Sequence, residues 1–350
     1  MKTLFNVLST VFLMLGAIIG AGFVSGAELV SFFGAENFLS PVIIATVLTS
    51  LVFCLIFSVV KFYDSKKLCV ENLLGGKKIY SICTCFSSYI FTASMLAGMD
   101  ALWNSLKVLN GAPVFSLPCI ALISVFSKYG VKGLERLNLI LMPLVLIIVN
   151  VLIFSRQNLE FCPFSIPTLN QTVNAGLYVF MNTFISIPVM RACANNKSKK
   201  SLCISSIIVA IVVGTQMLII LCVISKNIIL CKTDMPLFDV INSGGFSVLF
   251  FACLLIGSLT SAFSAYYPAY CFAKRKGGGF GVVFSAVLVL ILSRLGLGVI
   301  VKYLYPLIGG LGVLFVVRSL VGIKNSVNAD NKHNHFSYGG NYVKKEKEQK

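Results

Sequence analysis

The chain has 350 residues, of which 57% are hydrophobic and only 12% are charged, and its mean hydropathy is +0.91. This composition excludes an ordinary soluble globular domain, in which about 25% of the residues are charged. The formal net charge of +17 does not indicate nucleic-acid binding, because the basic residues form short clusters between apolar runs of bilayer-spanning length.

The apolar runs predict an all-α polytopic membrane protein with ten spans. They lie at about residues 4–33, 40–60, 79–103, 113–127, 134–154, 172–192, 202–224, 245–270, 280–296 and 299–320. Residues 1–322 are therefore expected to form one transmembrane domain. The polar segment 323–350 is expected to be a disordered cytoplasmic tail, because it is rich in Asn, Gly, Lys and Glu.

The distribution of Lys and Arg supports this number of spans. With the N-terminus inside, 23 of the 29 basic residues fall on the inner side and six on the outer side. Cytoplasmic loops of membrane proteins carry such an excess. The sequence thus predicts a multi-pass protein of the cell membrane, with both termini in the cytoplasm and the lipid bilayer as its surroundings. The oligomeric state does not follow from the sequence.

Ten spans divide into two halves of five, at about 4–154 and 172–320. Because five is an odd number, the second half is inserted upside down relative to the first. Secondary transporters with inverted repeats have broken helices at corresponding positions of the two halves, and the solute binds between them. The prediction is that the first and sixth spans are discontinuous.

The first span carries four glycines within eleven residues: Gly16, Gly20, Gly22 and Gly26. Glycine loosens a helix, and broken backbone at membrane depth is tolerated where it lines a cavity or is buried in protein. This pattern predicts a discontinuous helix whose freed N–H and C=O groups bind a ligand. The alternative is that these GxxxG spacings serve close helix packing.

Glu28 follows this stretch in the same apolar segment. A carboxylate within the membrane is costly and is retained mainly where it has a role, so Glu28 is a candidate for gating or coupling. The alternative is a position near the outer interface, where it faces water.

The sixth span has polar side chains at its middle, Asn182, Thr183 and Ser186, followed by Pro188. Proline lacks an N–H and clashes with the preceding helical turn. These residues predict the second break.

The eighth span contains Gly257, Thr260 and Ser261 at positions i, i+3 and i+4, which share one helix face. Two hydroxyls beside a carbonyl make a small, neutral oxygen site that suits a monovalent hard cation. The alternative is that each hydroxyl bonds to a carbonyl of its own helix.

Several of these motifs resemble known transporters. The segment Gly16–Gly22 resembles the unwound first helix of amino-acid transporters with the LeuT-type fold, and Gly257–Ser261 resembles their eighth helix. GAGFVSGAEL near the start, MLAGMDAL at Met95–Leu102 and VKYLYPLIGGLG at Val301–Gly312 are similar to the YkvI-like family of bacterial membrane proteins. That family is placed near the amino acid–polyamine–organocation superfamily, and the resemblance extends over roughly residues 5–320.

The resemblance implies a LeuT-type 5+5 inverted repeat with a sodium ion as the coupling ion and no other cofactor. The implied sodium ligands are the carbonyls of Gly16, Ile19 and Gly257 and the hydroxyls of Thr260 and Ser261. The implied substrate-binding residues are Ala17, Ala21, Gly22, Phe180, Asn182 and Thr183. A substrate carboxylate would meet the N–H groups of Ala21 and Gly22, and carbonyls of the sixth-helix break would take a substrate ammonium.

Two further positions bear on this resemblance. Some sodium-independent relatives place a lysine of the fifth helix in the cation position, whereas residues 137–154 contain no Lys or Arg. Asp100 stands where a small neutral residue is more usual. It is expected to face water at the outer end of the third span, with an ion pair to a base such as Arg294 as the alternative.

The sequence therefore predicts a secondary active transporter of a small zwitterionic solute, an amino acid, coupled to sodium. The alternative is an amino-acid-sensing receptor subunit that resembles the germinant permeases and carries out no net transport. An enzyme is disfavoured, because the two histidines, His333 and His335, lie in the tail and no carboxylate pair or HExxH motif is present.

Overall fold

The computed structural model describes residues 2–65, 76–105, 115–156, 164–194, 197–226, 229, 233–241 and 247–322. The predicted tail, 323–350, lies outside the described residues.

The first span is broken twice. Helix α1 runs from Lys2 to Ile18, α2 from Ala21 to Ser25 and α3 from Ala27 to Phe33. Ile19 and Gly20 separate α1 from α2, and Gly26 separates α2 from α3. Gly26 has φ +83°, a left-handed conformation that costs a residue with a Cβ about 1–2 kcal/mol.

Four more helical spans complete the first half. They are α4 (Leu39–Ser65), α5 (Lys77–Ser105), α6 (Ser116–Phe126) and α7 (Gly130–Arg156). A short 3₁₀ turn, Ser127–Tyr129, joins α6 to α7.

The second half consists of α8 (Leu169–Ala194), α9 (Lys199–Ile224), a short α10 (Pro236–Ile241), α11 (Ser247–Ser293) and α12 (Leu297–Gly322). Gly277 and Gly278 interrupt α11 with non-helical dihedral angles, so its two parts correspond to the predicted eighth and ninth spans. A π-helical turn at Ile300–Leu304 lies within α12.

Seven helices of the described residues are long and apolar enough to cross a membrane. The broken first span, the short α6 and the second part of α11 account for the difference from the ten predicted spans. The described residues contain no strand. The chain is thus an all-α multi-pass membrane protein.

The helices pack around the broken first span. Helix α1 contacts α7, α8, α9 and α11, whereas α2 contacts α5, α10 and α11. Large apolar side chains such as Leu51, Ile140 and Val283 are exposed on the outside of the bundle, where a bilayer would cover them. The interior around the break is therefore reached by residues of both halves.

The expected break in the sixth span is not present, because α8 is one uninterrupted helix. Asn182 Nδ2 donates to the carbonyl of Tyr178 at 3.1 Å, and the Thr183 hydroxyl donates to the carbonyl of Val179 at 2.7 Å. Both polar groups thus bond one turn back within α8 and leave the helix intact. Pro188 removes one helical N–H without ending the helix.

Candidate functional site

The break after α1 faces the predicted cation ligands of α11. The Ser261 hydroxyl donates to the carbonyl of Ile19 at 2.6 Å and lies 3.0 Å from the carbonyl of Gly257. The Thr260 hydroxyl donates to the same Gly257 carbonyl at 2.9 Å. Four of the five predicted oxygens are therefore linked by hydrogen bonds, although the Thr260 hydroxyl bonds to a carbonyl of its own helix, which is the stated alternative. Both hydroxyls are fully or almost fully buried.

Gly16, the fifth predicted ligand, lies against Asn138 of α7. A Cβ at Gly16 would collide with the Asn138 side-chain amide. Asn138 is fully buried, and neither its Oδ1 nor its Nδ2 has a hydrogen-bond partner. An unpaired amide in an apolar interior is costly, so Asn138 is a candidate that the sequence analysis missed. The sequence does show it, as a single Asn near the start of the apolar segment 137–154, but that segment was assessed only for Lys and Arg.

After the break, the start of α2 packs against α5. The Ala21 N–H donates to Met95 Sδ at 3.2 Å. A Cβ at Gly98 would collide with the Ala21 side chain. A Cβ at Gly22 would lie 3.1 Å from Glu28 Oε2. The glycines of this region therefore allow close approach both of α5 and of the Glu28 carboxylate.

Glu28 lies inside the protein. It is fully buried, and neither carboxylate oxygen has a hydrogen-bond partner. Its position excludes the alternative in which it faces water at the outer interface. Helix α3, which carries Glu28, packs against α8, which carries Tyr178, and against the Ile300–Leu304 turn of α12, which precedes Tyr305.

The surroundings of Glu28 are aromatic and polar. The Tyr178 ring packs edge-on against Phe32 and Phe33, with centroids 5.5 and 5.1 Å apart. The Tyr178 hydroxyl has no hydrogen-bond partner, and the Tyr305 hydroxyl bonds to Ser94. Tyr178 and Tyr305 were missed by the sequence analysis, because their hydroxyls converge only through the fold.

The other predicted substrate-binding residues do not share one environment. Ala17 is buried in α1 next to the break. Asn182 is buried one turn after Tyr178, and its Oδ1 has no partner. The Thr183 hydroxyl is used within α8, and the Phe180 carbonyl lies so close to Gly312 of α12 that a Cβ there would collide with it.

Asp100 forms an ion pair with Arg294, so the expectation that it faces water was wrong. The two side chains are 3.3 Å apart. The backbone N–H of Ser116 also donates to Asp100 Oδ1 at 2.8 Å. The reason is that Asp100 is only 7% exposed, and a buried carboxylate needs donors in place of water.

At the other end of the first span, Lys197 reaches α1 from the segment between α8 and α9. Its Nζ donates to the hydroxyls of Ser9 and Thr10, each at 2.9 Å. This contact ties the first part of the broken span to the second half of the protein.

The fold defined by these elements is the LeuT-like transporter fold. The structure is similar to that of MHP1, a nucleobase-cation-symport-1 family transporter in a closed conformation with bromovinylhydantoin bound. The TM-score is 0.55 at 13% sequence identity, over 89% of this chain and 77% of that chain. At this identity the similarity shows the fold, and it does not identify the solute.

A relative by sequence is the uncharacterized protein YyaD of Bacillus subtilis (strain 168), with 32% identity over 134 residues. The alignment spans 37% of this chain and 39% of YyaD, so it covers less than half of either protein. No family model matches the chain. Membership of the YkvI-like family therefore stays a prediction.

Proposed function

We propose that this protein is a secondary active transporter of a small zwitterionic solute, an amino acid, and that sodium is its coupling ion. The observation that carries the proposal is the convergence of Ile19, Gly257, Thr260 and Ser261 on the break in the first span. Discontinuous helices with their coupling-ion sites at such breaks are typical of secondary transporters.

The chemistry of the gathered oxygens suits sodium. They are carbonyl and hydroxyl oxygens without formal charge, and hard cations prefer oxygen ligands. The hydroxyl protons of Thr260 and Ser261 now point to the carbonyls of Gly257 and Ile19. If these protons turn away, all four oxygens present lone pairs to one cation. Asn138 Oδ1, buried beside Gly16 and unpaired, fits as a further ligand.

The solute's carboxylate is proposed to bind the N–H groups of Ala21 and Gly22. These groups begin α2 after the break and precede the first helical hydrogen bond, which Val24 N–H donates to the carbonyl of Gly20. Gly22 has no side chain, but Glu28 and Leu297 fill the space beside it, so a solute that binds here has to displace them from this backbone. Ala17 would line the same position from α1.

The first experiment is uptake of labelled amino acids into proteoliposomes with and without an inward sodium gradient. We expect sodium-driven uptake by the wild type and loss of the sodium dependence in the double variant Thr260→Ala/Ser261→Ala. The matched control is Ser264→Ala, which removes a buried hydroxyl of the same helix that bonds only to the carbonyl of Thr260 at 3.2 Å. This control should keep the sodium dependence.

Two outcomes would contradict parts of the proposal. Unchanged sodium dependence in a folded double variant would exclude this cation site. Binding of an amino acid without any uptake would contradict transport and support a sensing subunit instead.

The proposed orientation places both termini in the cytoplasm. It rests on the excess of Lys and Arg in the segments assigned to the inner side. In a variant without native cysteines, Asn37→Cys between α3 and α4 should react with an impermeant thiol reagent added outside. Lys199→Cys at the start of α9 should not react, and its reaction from outside would overturn the orientation.

A further inference from the structure

We infer that Glu28 binds the ammonium group of the transported solute. This inference rests on the proposed function and names a group for the solute's positive end that the LeuT-type resemblance did not supply. That resemblance assigned the ammonium to backbone carbonyls of a broken sixth helix.

The sixth helix is not available for this role in the structure. Helix α8 is continuous from Leu169 to Ala194, so the carbonyls of its central turns accept hydrogen bonds within the helix, except that of Phe184, whose helical donor Pro188 removes. The Phe180 carbonyl is in addition covered by Gly312 of α12. The positive end of a solute at the break therefore needs a different partner.

Glu28 is the acidic side chain beside the break. Its Oε2 lies 3.1 Å from the Cβ position of Gly22, and Gly22 adjoins the proposed carboxylate site at Ala21. Both Glu28 oxygens are buried without a hydrogen-bond partner. A buried carboxylate without a counter-charge is strongly unfavourable. A bound cation removes that cost.

The donors and acceptors around Glu28 favour an ammonium group as this cation. The two Glu28 oxygens are buried acceptors without a hydrogen-bond partner. An ammonium group contributes three N–H donors, whereas a proton on Glu28 contributes one. The rings of Tyr178, Phe32 and Phe33 pack together next to this position, and aromatic faces attract organic cations.

The Glu28 carboxylate also lies close to the proposed carboxylate site. Ala21 and Gly22 are neighbours in the chain, and the Glu28 carboxylate approaches the second of them. A small zwitterion would place its carboxylate at these N–H groups, displacing Met95 Sδ from that of Ala21, and its ammonium towards Glu28. The inferred solute class is a small primary amine that also carries a carboxylate.

The experiment measures ligand affinity of the purified full-length protein at fixed pH and fixed sodium concentration. An amino acid that stabilises the wild type is compared with its 2-hydroxy analogue, in which a hydroxyl replaces the amine. We expect Glu28→Gln to weaken binding of the amino acid at least about tenfold, because a hydrogen-bonded charge pair is lost. Glu28→Gln should change the affinity for the hydroxy analogue much less.

The matched control is Glu36→Gln, an exposed carboxylate just after α3, which should leave both affinities unchanged. If Glu28→Gln does not fold, Glu28→Asp carries the same test, because it keeps the charge and withdraws it by one methylene. Its affinity for the amino acid should also fall.

The outcomes separate this inference from the proposed function. If Glu28→Gln binds the amino acid as the wild type does but transports it without ion coupling, Glu28 is a coupling group and the inference is overturned while the function stands. Equal weakening for the amino acid and the hydroxy analogue would also overturn it. If no amino acid binds to or is transported by the wild type, the proposed function itself fails.

Discussion

The first and sixth spans occupy equivalent positions in the two halves, yet only the first is broken. The first span is interrupted at Ile19–Gly20 and again at Gly26, whereas α8 passes through Asn182, Thr183 and Pro188 as one helix. Both contain residues that disfavour a regular helix. The two spans differ in which groups contact their backbones.

In α8, Asn182 Nδ2 and the Thr183 hydroxyl bond to carbonyls one turn back without unwinding the helix, whereas Asn182 Oδ1 and Ser186 Oγ are buried without a partner. In the first span, the glycines carry no side chain that could do this, and neighbouring groups take the space instead. Met95 lies against Gly20, Asn138 against Gly16 and Glu28 against Gly22. Absence of a side chain, rather than presence of a polar one, thus marks the break in this protein.

The largest expected effect comes from filling the break. Gly20→Val should destabilise the protein by about 1–3 kcal/mol through overpacking. Its Cβ would collide with the Met95 thioether and lie 3.4 Å from Ser261 Cβ, so sodium-dependent uptake should also be lost. Gly176→Val on α8 is the matched control, because no atom lies within 4 Å of its Cβ position. Equal melting temperatures of the two variants would contradict the contrast between the spans.

The second break is tested by Gly26→Ala. The residue has φ +83°, so any side chain there is expected to cost about 1–2 kcal/mol. The control is Gly310→Ala on α12, where the Cβ meets open space and the exchange should stabilise the helix. Thermal unfolding in detergent measures both changes. A Gly26→Ala protein as stable as the wild type would show that the α2–α3 junction is not a fixed left-handed turn.

A smaller effect is expected at Asn138. Asn138→Ala removes two unpaired polar atoms, so stability should change little, but the sodium concentration for half-maximal uptake should rise about two- to tenfold. Asn150→Ala on the same helix should lower stability and leave the sodium affinity unchanged. It breaks a 2.9 Å hydrogen bond to Gln216, which is not part of the proposed cation site. Sodium affinity that is unaltered in Asn138→Ala would remove this residue from the ligand set.

The smallest effect is expected at Pro188. Because α8 is already continuous, Pro188→Ala restores one helical N–H and should raise stability while uptake persists. Pro143→Ala in α7 is a second proline within a helix and should behave in the same way. Loss of uptake in Pro188→Ala alone would show that the sixth span opens during transport.

Much of the fold follows from the sequence, because long apolar runs and glycine clusters act locally. Most of the apolar spans and the break at Gly20 are of this kind, and so is the alignment of Gly257 with Thr260 and Ser261. The short α6 and the interrupted α11 made two of the spans harder to recognise by length.

The candidate site was only partly predictable, because its remaining members are brought together by the fold. Glu28, Tyr178 and Tyr305 come from three distant segments. The Asp100–Arg294 pair joins positions 194 residues apart. The prediction of a break in α8 was wrong for a local reason: Asn182 and Thr183 bond to carbonyls of their own helix, one turn back.

The contact between Ala21 and Met95 has a consequence for how readily the break exchanges partners. A thioether sulfur is a weak hydrogen-bond acceptor, and a methionine side chain has three flexible bonds. The N–H of Ala21 is thus occupied by a group that an incoming carboxylate oxygen can replace at little cost. An aspartate or serine at position 95 would hold the same N–H more firmly and compete with the solute. In the proposed transport cycle, Met95 would cover the donor while no solute is bound and release it to the next solute.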